Sequence, residues 1–314
     1  MNACTTSPVS VSCSTCCREL FFVYLRRINM ICLKDMETIR NFEELISHLQ
    51  QRGERKRIGV ICPRDESTKK AVREATEELG FADAVVFEDD DVDLAAAQAV
   101  AAAREGKVDI LMKGTINTDN LLRAVLNKET GILPKGRVLT HITCAQLPQY
   151  DKLIFCSDVA VIPQPTKEQR EAQLAYLLAL CRSMGIQEPA VALINCSEKV
   201  DERHFPHTVE YRELVAKAEA GEFGRCIVDG PLDLKTSLSA KALKKKGLTS
   251  PLRGYADALI FPDIQAGNVF YKTITLFCRA ETAAMLQGAD VPVVLTSRAD
   301  SWQSKYYSLA LASL

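Results

Sequence analysis

The sequence predicts an α/β protein: a two-domain α/β/α sandwich in which helices cover both faces of a largely parallel sheet. Short apolar runs such as residues 57–62 and 108–112 alternate with helical stretches of ten or more residues. Parallel strands joined by crossover helices require that order. The 314 residues are 47% hydrophobic and 25% charged, which is enough apolar mass for two medium-sized domains. This composition excludes a disordered, collagen-like or coiled-coil chain.

The first part of the chain alternates strictly between helix and strand patterns. The predicted helices are residues 39–52, 66–79, 94–104 and 117–126, and the predicted strands are 57–62, 84–87 and 108–112. Leu45 and Leu49 share one stripe of the first helix, at the helical spacing of four residues. Gly80 follows the second helix, as expected of a C-terminal glycine. The pattern therefore predicts an open sheet with helices on its faces.

The middle of the chain breaks this alternation. Residues 137–146 and 152–162 read as two paired strands without a helix between them, which indicates a hairpin. Alternation then resumes, with helices predicted at 166–184, 206–220, 234–245, 264–286 (interrupted near Arg279) and 301–311, and strands at 190–195, 226–228, 258–261 and 291–295.

The expected domain organisation follows from this break. One α/β domain is expected at 36–136 plus 284–314, and a second at 137–283. Residues 1–35 are expected to be a disordered N-terminal extension outside the fold.

Charge, cysteine usage and hydropathy exclude several classes of partner. Lys and Arg number 39 against 40 for Asp and Glu, so no overall basic field would hold a nucleic acid or an anionic membrane. The apolar stretch 20–25 is too short to span a bilayer. Many of the twelve cysteines stand singly in apolar runs, as reduced cysteines do in a cytoplasmic protein. No metal is expected, because Cys13 with Cys16 and His204 with His207 lack further ligands at suitable spacing.

Candidate binding residues lie in loops that follow strands, where open α/β sheets bind their ligands. Lys113 and Thr115 flank a glycine that lets backbone amides approach an anion. The loop 296–301 carries hydroxyls and Arg298 ahead of a helix whose free amides favour a phosphate. The same residues also fit a plain helix N-cap with a solvated arginine, so both interpretations stay open at this point. The chain has no dinucleotide-binding glycine motif, Walker loop, nucleophile elbow or zincin motif.

Four motifs in this order resemble the phosphate acetyl/butyryltransferase family. They are Val228-Asp229-Gly230-Pro231-Leu232; Ser250-Pro251-Leu252-Arg253-Gly254; Phe261-Pro262-Asp263 through Asn268 with Tyr271-Lys272; and Leu295-Thr296-Ser297-Arg298. The resemblance covers nearly all of 36–314. It implies reversible acyl transfer between coenzyme A and inorganic phosphate in an interdomain cleft, and a fold related to isocitrate and isopropylmalate dehydrogenases. It also implies a homodimer or higher oligomer, with the coenzyme A thioester as a substrate and no tightly bound cofactor.

The resemblance also implies roles for individual residues. Arg298 would neutralise the phosphate, and Ser297 would donate a hydrogen bond to the charge that develops during the reaction. Lys113 with Thr115 would form a second anion contact. Further candidates for substrate binding or for shaping the cleft are Asp229, Arg253, Asp263, Asn268 and Thr296.

One departure from the family concerns the base that deprotonates the coenzyme A thiol. In the acetyl branch an aspartate follows the Ser-Arg pair, whereas Ser304 occupies the matching position here. A thiol with a pKa of about 8.5 needs a base near neutral pH, and Asp300 is the nearest candidate in the sequence. The motif from Leu295 to Ser301 looks more like the butyryl branch, so butyryl is the expected acyl group.

Other functions remain open at this stage. Acetyl transfer is the first alternative. A metal- and NAD-dependent decarboxylating dehydrogenase of related fold is the second, and a non-catalytic coenzyme A-binding protein is the third.

Overall fold

Helices and strands alternate along the computed structural model, which describes residues 37–77, 80–296 and 300–314. The expected extension 1–35 lies outside these residues, as do Ser297 and Arg298. Within them, the elements are α1 (Phe42–Arg52), β1 (Lys56–Ile61), α2 (Glu66–Thr76), β2 (Ala82–Phe87), α3 (Val92–Arg104), β3 (Ile110–Lys113), α4 (Thr118–Val125), β4 (Thr140–Gln146), β5 (Ile154–Ser157), α5 (Lys167–Ser183), β6 (Ala190–Ile194), α6 (His207–Glu219), β7 (Ile227–Leu232), α7 (Leu234–Leu238), α8 (Ala240–Lys246), β8 (Ala258–Ile260), α9 (Ile264–Phe277), β9 (Glu281–Gln287), β10 (Val293–Val294) and α10 (Trp302–Ala312).

The described strands form one ten-stranded sheet in the order β2-β1-β3-β10-β9-β4-β5-β8-β6-β7. The first four strands run parallel to one another, and so do the last four. Strands β9 and β4 lie between these two groups, and each of their pairings is antiparallel. Three antiparallel steps separate β10 from β5, so the two parallel groups point in opposite directions.

Burial along the strands shows that both faces of the sheet are covered. All residues of β3, β5 and β6 are buried, and side chains on a strand alternate between faces, so both faces must be packed. The predicted α/β class with helices on both faces is confirmed. Residues 38–314 form one compact unit, and the division into two domains stays a prediction. None of the helices described here is long and apolar enough to cross a membrane.

The hairpin prediction is confirmed, and the predicted helix 264–286 is wrong in its last part. Strands β4 and β5 pair antiparallel, with Thr143 opposite Cys156. Helix α9 ends at Phe277, and Arg279 has a positive φ of 54°. The chain then forms β9, which pairs with β4 through seven residue pairs. Its alanines favour a helix locally, but pairing in the middle of the sheet outweighs that preference.

Two smaller predictions need correction. The predicted helix 234–245 is two short helices, because Ser239 is extended and its side chain caps α8 through the backbone amide of Ala242. The predicted strand 291–295 is reduced to the two residues of β10. Both changes lie at positions where hydrogen bonding by the surroundings decides the local structure.

Candidate functional site

The loops that follow β3 and β10 lie side by side, because these two strands are neighbours. Leu111 pairs with Val293 in parallel register, so both strands end at the same edge. This brings together Lys113 from one strand end and Thr296 from the other. Both side chains are buried, at 4% and 5% exposure. The structure therefore joins two of the loops that were predicted to bind an anion.

The turn after Lys113 is held tightly against the end of β1. The amides of Gly114 and Thr115 donate to the carbonyl oxygens of Ile61 and Cys62, each at 2.9 Å. Thr115 Oγ1 also donates to Cys62 O at 3.0 Å. A Cβ atom on Gly114 would overlap these two carbonyl groups, so only glycine fits here. The Thr115 hydroxyl therefore helps to hold this turn against the end of β1.

Asp300 connects the loop after β10 to helix α9. Its carboxylate is hydrogen-bonded to the Tyr271 phenol, which also contacts the Thr282 hydroxyl of β9. Burial, followed by the charge of Asp300, raises the pKa of Tyr271 to about 12. The phenol therefore keeps its proton at neutral pH and donates a hydrogen bond to Asp300. Side chains from two separate parts of the sequence meet at this point.

Asp263 and Asn268 fix the first turns of α9. Asp263 caps the helix by accepting from the Ala266 amide at 2.8 Å, and Asn268 Nδ2 donates to Val159 O at 3.0 Å. A Cβ on Gly267 would overlap the carbonyl oxygen of Asp158, so the helix packs closely against the loop after β5. These contacts set the position of the helix that carries Tyr271.

Asp229 and Arg253 lie away from this group. Asp229 belongs to β7, which is seven strands from β3 in the sheet, or about 34 Å at a strand spacing of about 4.8 Å. Its carboxylate accepts from Ser250 Oγ at 2.6 Å and from the Gly230 amide at 2.8 Å. Arg253 is exposed and has a positive φ of 56°. The structure does not bring these two residues together with Lys113 and Asp300.

Helix α10, which begins just after Asp300, is anchored at its first turns. Ser301 caps it by accepting from the Ser304 amide at 3.1 Å. Ser304 is the residue at the position of the family's aspartate, and its Oγ lies 3.4 Å from Thr282 Oγ1. The buried Lys305 Nζ donates to Asp65 Oδ1 at 2.8 Å. The N-terminal end of α10 is thereby tied to both β9 and α2.

Three residues near this group were not among the predicted site residues. Tyr271 occurred only inside a family motif, and neither His141 nor Asp158 was singled out. Asp158 directly follows the buried strand β5, which is the signal that could have found it. His141 is a single histidine in a buried strand and carries no comparable signal. It lies in β4 with 5% exposure, beside Asp158.

The described residues contain no group of three or more His, Cys, Asp or Glu arranged to hold a metal ion. Among the described residues, charge at these strand ends comes from Lys113, Asp158 and Asp300. With the Tyr271 phenol, they supply one buried cation, two carboxylates and a neutral donor. Such a set can hold a small anion and accept a proton.

Comparison with known proteins shows the family to which the chain belongs. The sequence signature of the phosphate acetyl/butaryl transferase family matches residues 38–313. A phosphate butyryltransferase from Clostridium acetobutylicum is 35% identical over 299 residues, covering 88% of this chain and 98% of that protein. A phosphate acetyltransferase from Thermotoga maritima is 38% identical over 216 residues, covering 69% of this chain and 73% of its own length.

A solved structure gives the same result for the fold. The crystal structure of a branched-chain phosphotransacylase from Enterococcus faecalis V583 superposes with a TM-score of 0.71 at 28% identity. The alignment covers 82% of this chain and 97% of that one. The chain therefore belongs to the phosphate acetyl/butyryl transferase family, and it is an acyltransferase.

Proposed function

We propose that the chain is a phosphate butyryltransferase, which transfers a short-chain acyl group reversibly from coenzyme A to inorganic phosphate. The observation that carries this proposal is the buried ammonium of Lys113 beside the loop that ends at Asp300. A cation buried at a strand end attracts an anion strongly, because little water screens it. Support for the butyryl group comes from the match to the Clostridium acetobutylicum butyryltransferase along almost its whole length.

The chemistry requires three things of the site. A phosphate oxygen attacks the thioester carbonyl carbon, a tetrahedral oxyanion forms, and coenzyme A leaves as a thiolate. Lys113 would hold the phosphate, together with the free amides at the start of α4. Arg298 and Ser297, assigned by the family resemblance, would neutralise the phosphate and stabilise the oxyanion. Binding both substrates side by side supplies much of the rate by orientation.

Phosphate-dependent release of thiol tests the activity directly. The chain is incubated with butyryl-CoA with and without inorganic phosphate, and the free thiol and the butyryl phosphate are both measured. We expect equal amounts of the two products, formed only when phosphate is present. Thiol release that ignores phosphate would show a thioesterase and would refute the proposal.

Arg298→Ala tests the anion contact. Loss of one contact to the developing charge typically costs 10²–10³-fold in rate, and we expect kcat/KM to fall by about that factor. Arg225→Ala is the matched control, because Arg225 pairs with Glu188 on the surface at 73% side-chain exposure. A full-rate Arg298→Ala enzyme would remove this residue from the mechanism.

Acyl preference is the finer part of the proposal. One methylene group is worth about 1–3 kcal/mol of discrimination, so kcat/KM should differ by about tenfold or more between acetyl-CoA and butyryl-CoA. Measuring acetyl-, butyryl- and isobutyryl-CoA at fixed phosphate decides between them. A higher value for acetyl-CoA would make the chain a phosphate acetyltransferase.

The outward face of α9 supports a homodimer or higher oligomer. Val269, Leu276 and Phe277 are 66%, 72% and 77% exposed, and apolar patches of this kind mark interaction sites. Light scattering on the purified protein should give at least twice the chain mass, and Phe277→Ser should weaken the association.

We place the enzyme in the cytoplasm, which keeps thiols reduced; the cysteines among the described residues are free.

A further inference from the structure

His141 lies on the face of the sheet that carries the candidate site. It pairs with Leu286, and Ala145 in the same strand pairs with Thr282. Because alternate residues of a strand share a face, the His141 ring lies on the same side of the sheet as Thr282. Thr282 contacts Tyr271, and Tyr271 contacts Asp300. His141 thus lies on the same face of the sheet as Thr282, and the charge of Asp300 reaches its ring.

The charged and titratable groups that surround His141 differ in how they are engaged. Asp158 is fully buried, and its oxygens accept from Thr140 Oγ1 and from the His141 amide, as well as from the amides of residues 160 and 161. This carboxylate is therefore fixed, and it bonds to the backbone of His141 rather than to its ring. The charge of Asp300 also acts on the ring and favours its protonated form.

The remaining neighbours of His141 are uncharged. Cys156 lies on the adjacent strand β5, and burial raises its pKa to about 12, so it stays a thiol. Tyr271 keeps its proton for the reason given above. Along β9, the same-face neighbours Thr282, Ala284 and Leu286 do not titrate. Among the described residues, the charges that act on the ring are therefore those of Asp158 and Asp300.

The imidazole itself is available to accept a proton. Burial lowers the pKa of His141, although Asp158 and Asp300 oppose the effect, so the ring is neutral at neutral pH. Nδ1 lies 3.4 Å from Thr143 Oγ1, and in the tautomer that carries its proton on Nδ1 the ring donates to this hydroxyl and keeps the lone pair of Nε2 for a proton. A neutral imidazole with one nitrogen engaged and the other unengaged is suited to act as a general base.

We propose that His141 accepts the proton of the coenzyme A thiol when acyl phosphate is converted to acyl-CoA, and that Asp300 stabilises the resulting imidazolium. This inference rests on the proposed function. The S–H bond breaks and its proton forms an N–H bond on the ring. The sulfur electron pair forms the C–S bond, and the bond from the acyl carbon to the phosphate oxygen breaks, its electrons leaving with phosphate. In the opposite direction the imidazolium protonates the departing thiolate.

This assignment accounts for the departure at Ser304. The family's aspartate is missing there, so another group has to take the proton. Asp300 alone is a weak base for a thiol, because the usual pKa of an aspartate lies more than four units below that of a thiol. A free imidazole is closer to the thiol in pKa, and the Asp158 and Asp300 carboxylates oppose the lowering that burial imposes on His141. Asp300 thereby favours the proton transfer indirectly, because its charge stabilises the protonated His141 ring.

His141→Gln tests the proposal, with His204→Gln as control because His204 is exposed on the surface beside Asp201. The substrates are butyryl phosphate and coenzyme A, and acyl-CoA formation is followed from pH 6 to pH 9. General base catalysis contributes about 10²–10⁴-fold, so kcat at pH 7 should fall at least 100-fold. The rate of the variant should then rise with pH toward the pKa of the thiol. The KM values should change little.

The outcomes are separable. If the wild type makes no acyl-CoA, the proposed function fails. If the wild type is active and a folded His141→Gln enzyme keeps its kcat and pH profile, His141 is structural and this inference fails.

A measurement on the wild type decides the matter if the variant does not fold. The acid limb of kcat is recorded at several temperatures, because imidazole ionisation is strongly enthalpic whereas carboxylate ionisation is not. We expect a limb whose midpoint moves with temperature. A limb that does not move, or no limb at all, would overturn the proposal.

Discussion

Replacing Lys305 by methionine should weaken the attachment of α10, the helix that follows the loop 296–301, to α2. The Lys305 side chain is 3% exposed, and its ammonium donates to Asp65 Oδ1 at 2.8 Å. It also donates to Ser67 Oγ at 2.6 Å and to Thr68 Oγ1 at 2.9 Å. These bonds join α10 to the start of α2, two helices far apart in sequence. Methionine keeps the apolar stem and removes the charge.

The size of the effect follows from this burial. Removing one partner of a buried ion pair costs about 3–5 kcal/mol. Asp65 is 34% exposed at its side chain, and it keeps the Thr68 amide and the Ser67 hydroxyl as donors. Water and these donors compensate part of the loss, so we expect about 3 kcal/mol. For a chain of 314 residues that corresponds to a drop in Tm of about 5 °C.

The effect should also depend on pH. Burial alone would raise the pKa of Asp65, but hydrogen bonds from Lys305, Thr68 and Ser67 hold it well below its usual value. A carboxylate with a depressed pKa in the folded state adds stability above its unfolded pKa of about 4, and that stability is lost as the pH falls below it. The difference between wild type and variant should therefore be largest above pH 5 and narrow in acid.

Urea unfolding followed by circular dichroism measures this difference. Lys69→Met is the matched control in α2, because Lys69 pairs with Glu66 at side-chain exposures of 54% and 89%. An exposed pair of this kind should contribute less than about 1 kcal/mol. The reasoning is wrong if Lys305→Met loses no more stability than Lys69→Met, or if its loss grows in acid.

Three further outcomes are expected. Gly114→Ala should lose about 3 kcal/mol of stability and most of the affinity for phosphate, because its Cβ would overlap the backbone next to Lys113. Urea unfolding measures the stability, and the KM for phosphate measures the affinity. Gly267→Ala should lower Tm and kcat together, since α9 would have to move; an unchanged kcat would contradict this. Cys196 is exposed whereas Cys144 and Cys156 are buried, so mass spectrometry after thiol labelling should find Cys196 modified in the native protein and the other two only in denaturant.

The sequence predicted the elements of the first parallel group well, for a physical reason. Strands such as β1 and β3 are short apolar runs buried on both faces, and helices such as α1 have one apolar stripe. These patterns are local, so they can be read without knowing which strands pair. The positions of Lys113 and Thr296 at the strand ends followed from the same local pattern, and the pairing of β3 with β10 brought them together.

Asp229 and Arg253 belong to motifs that resemble those of the family, and their assignment to substrate binding stays a prediction. The strand that carries Asp229 lies seven strands from the one that carries Lys113. The hydrogen bonds of Asp229 to Ser250 and to its own neighbour Gly230 stabilise the edge of the sheet where the chain turns. A motif can be characteristic of a fold because it holds that fold together, and the sequence alone does not separate this role from substrate binding.

The missed strand β9 and the missed histidine have a single cause. Residues 281–287 include two alanines, a methionine and a leucine, which favour a helix locally, and only the seven pairs with β4 make them a strand. The same pairing places His141 on the face of the sheet that carries Thr282, which contacts Tyr271. Both consequences depend on contacts between segments about 140 residues apart in the chain. Local periodicity contains no information about such contacts. His141 can therefore be recognised as a candidate only when the pairing of β4 with β9 is known.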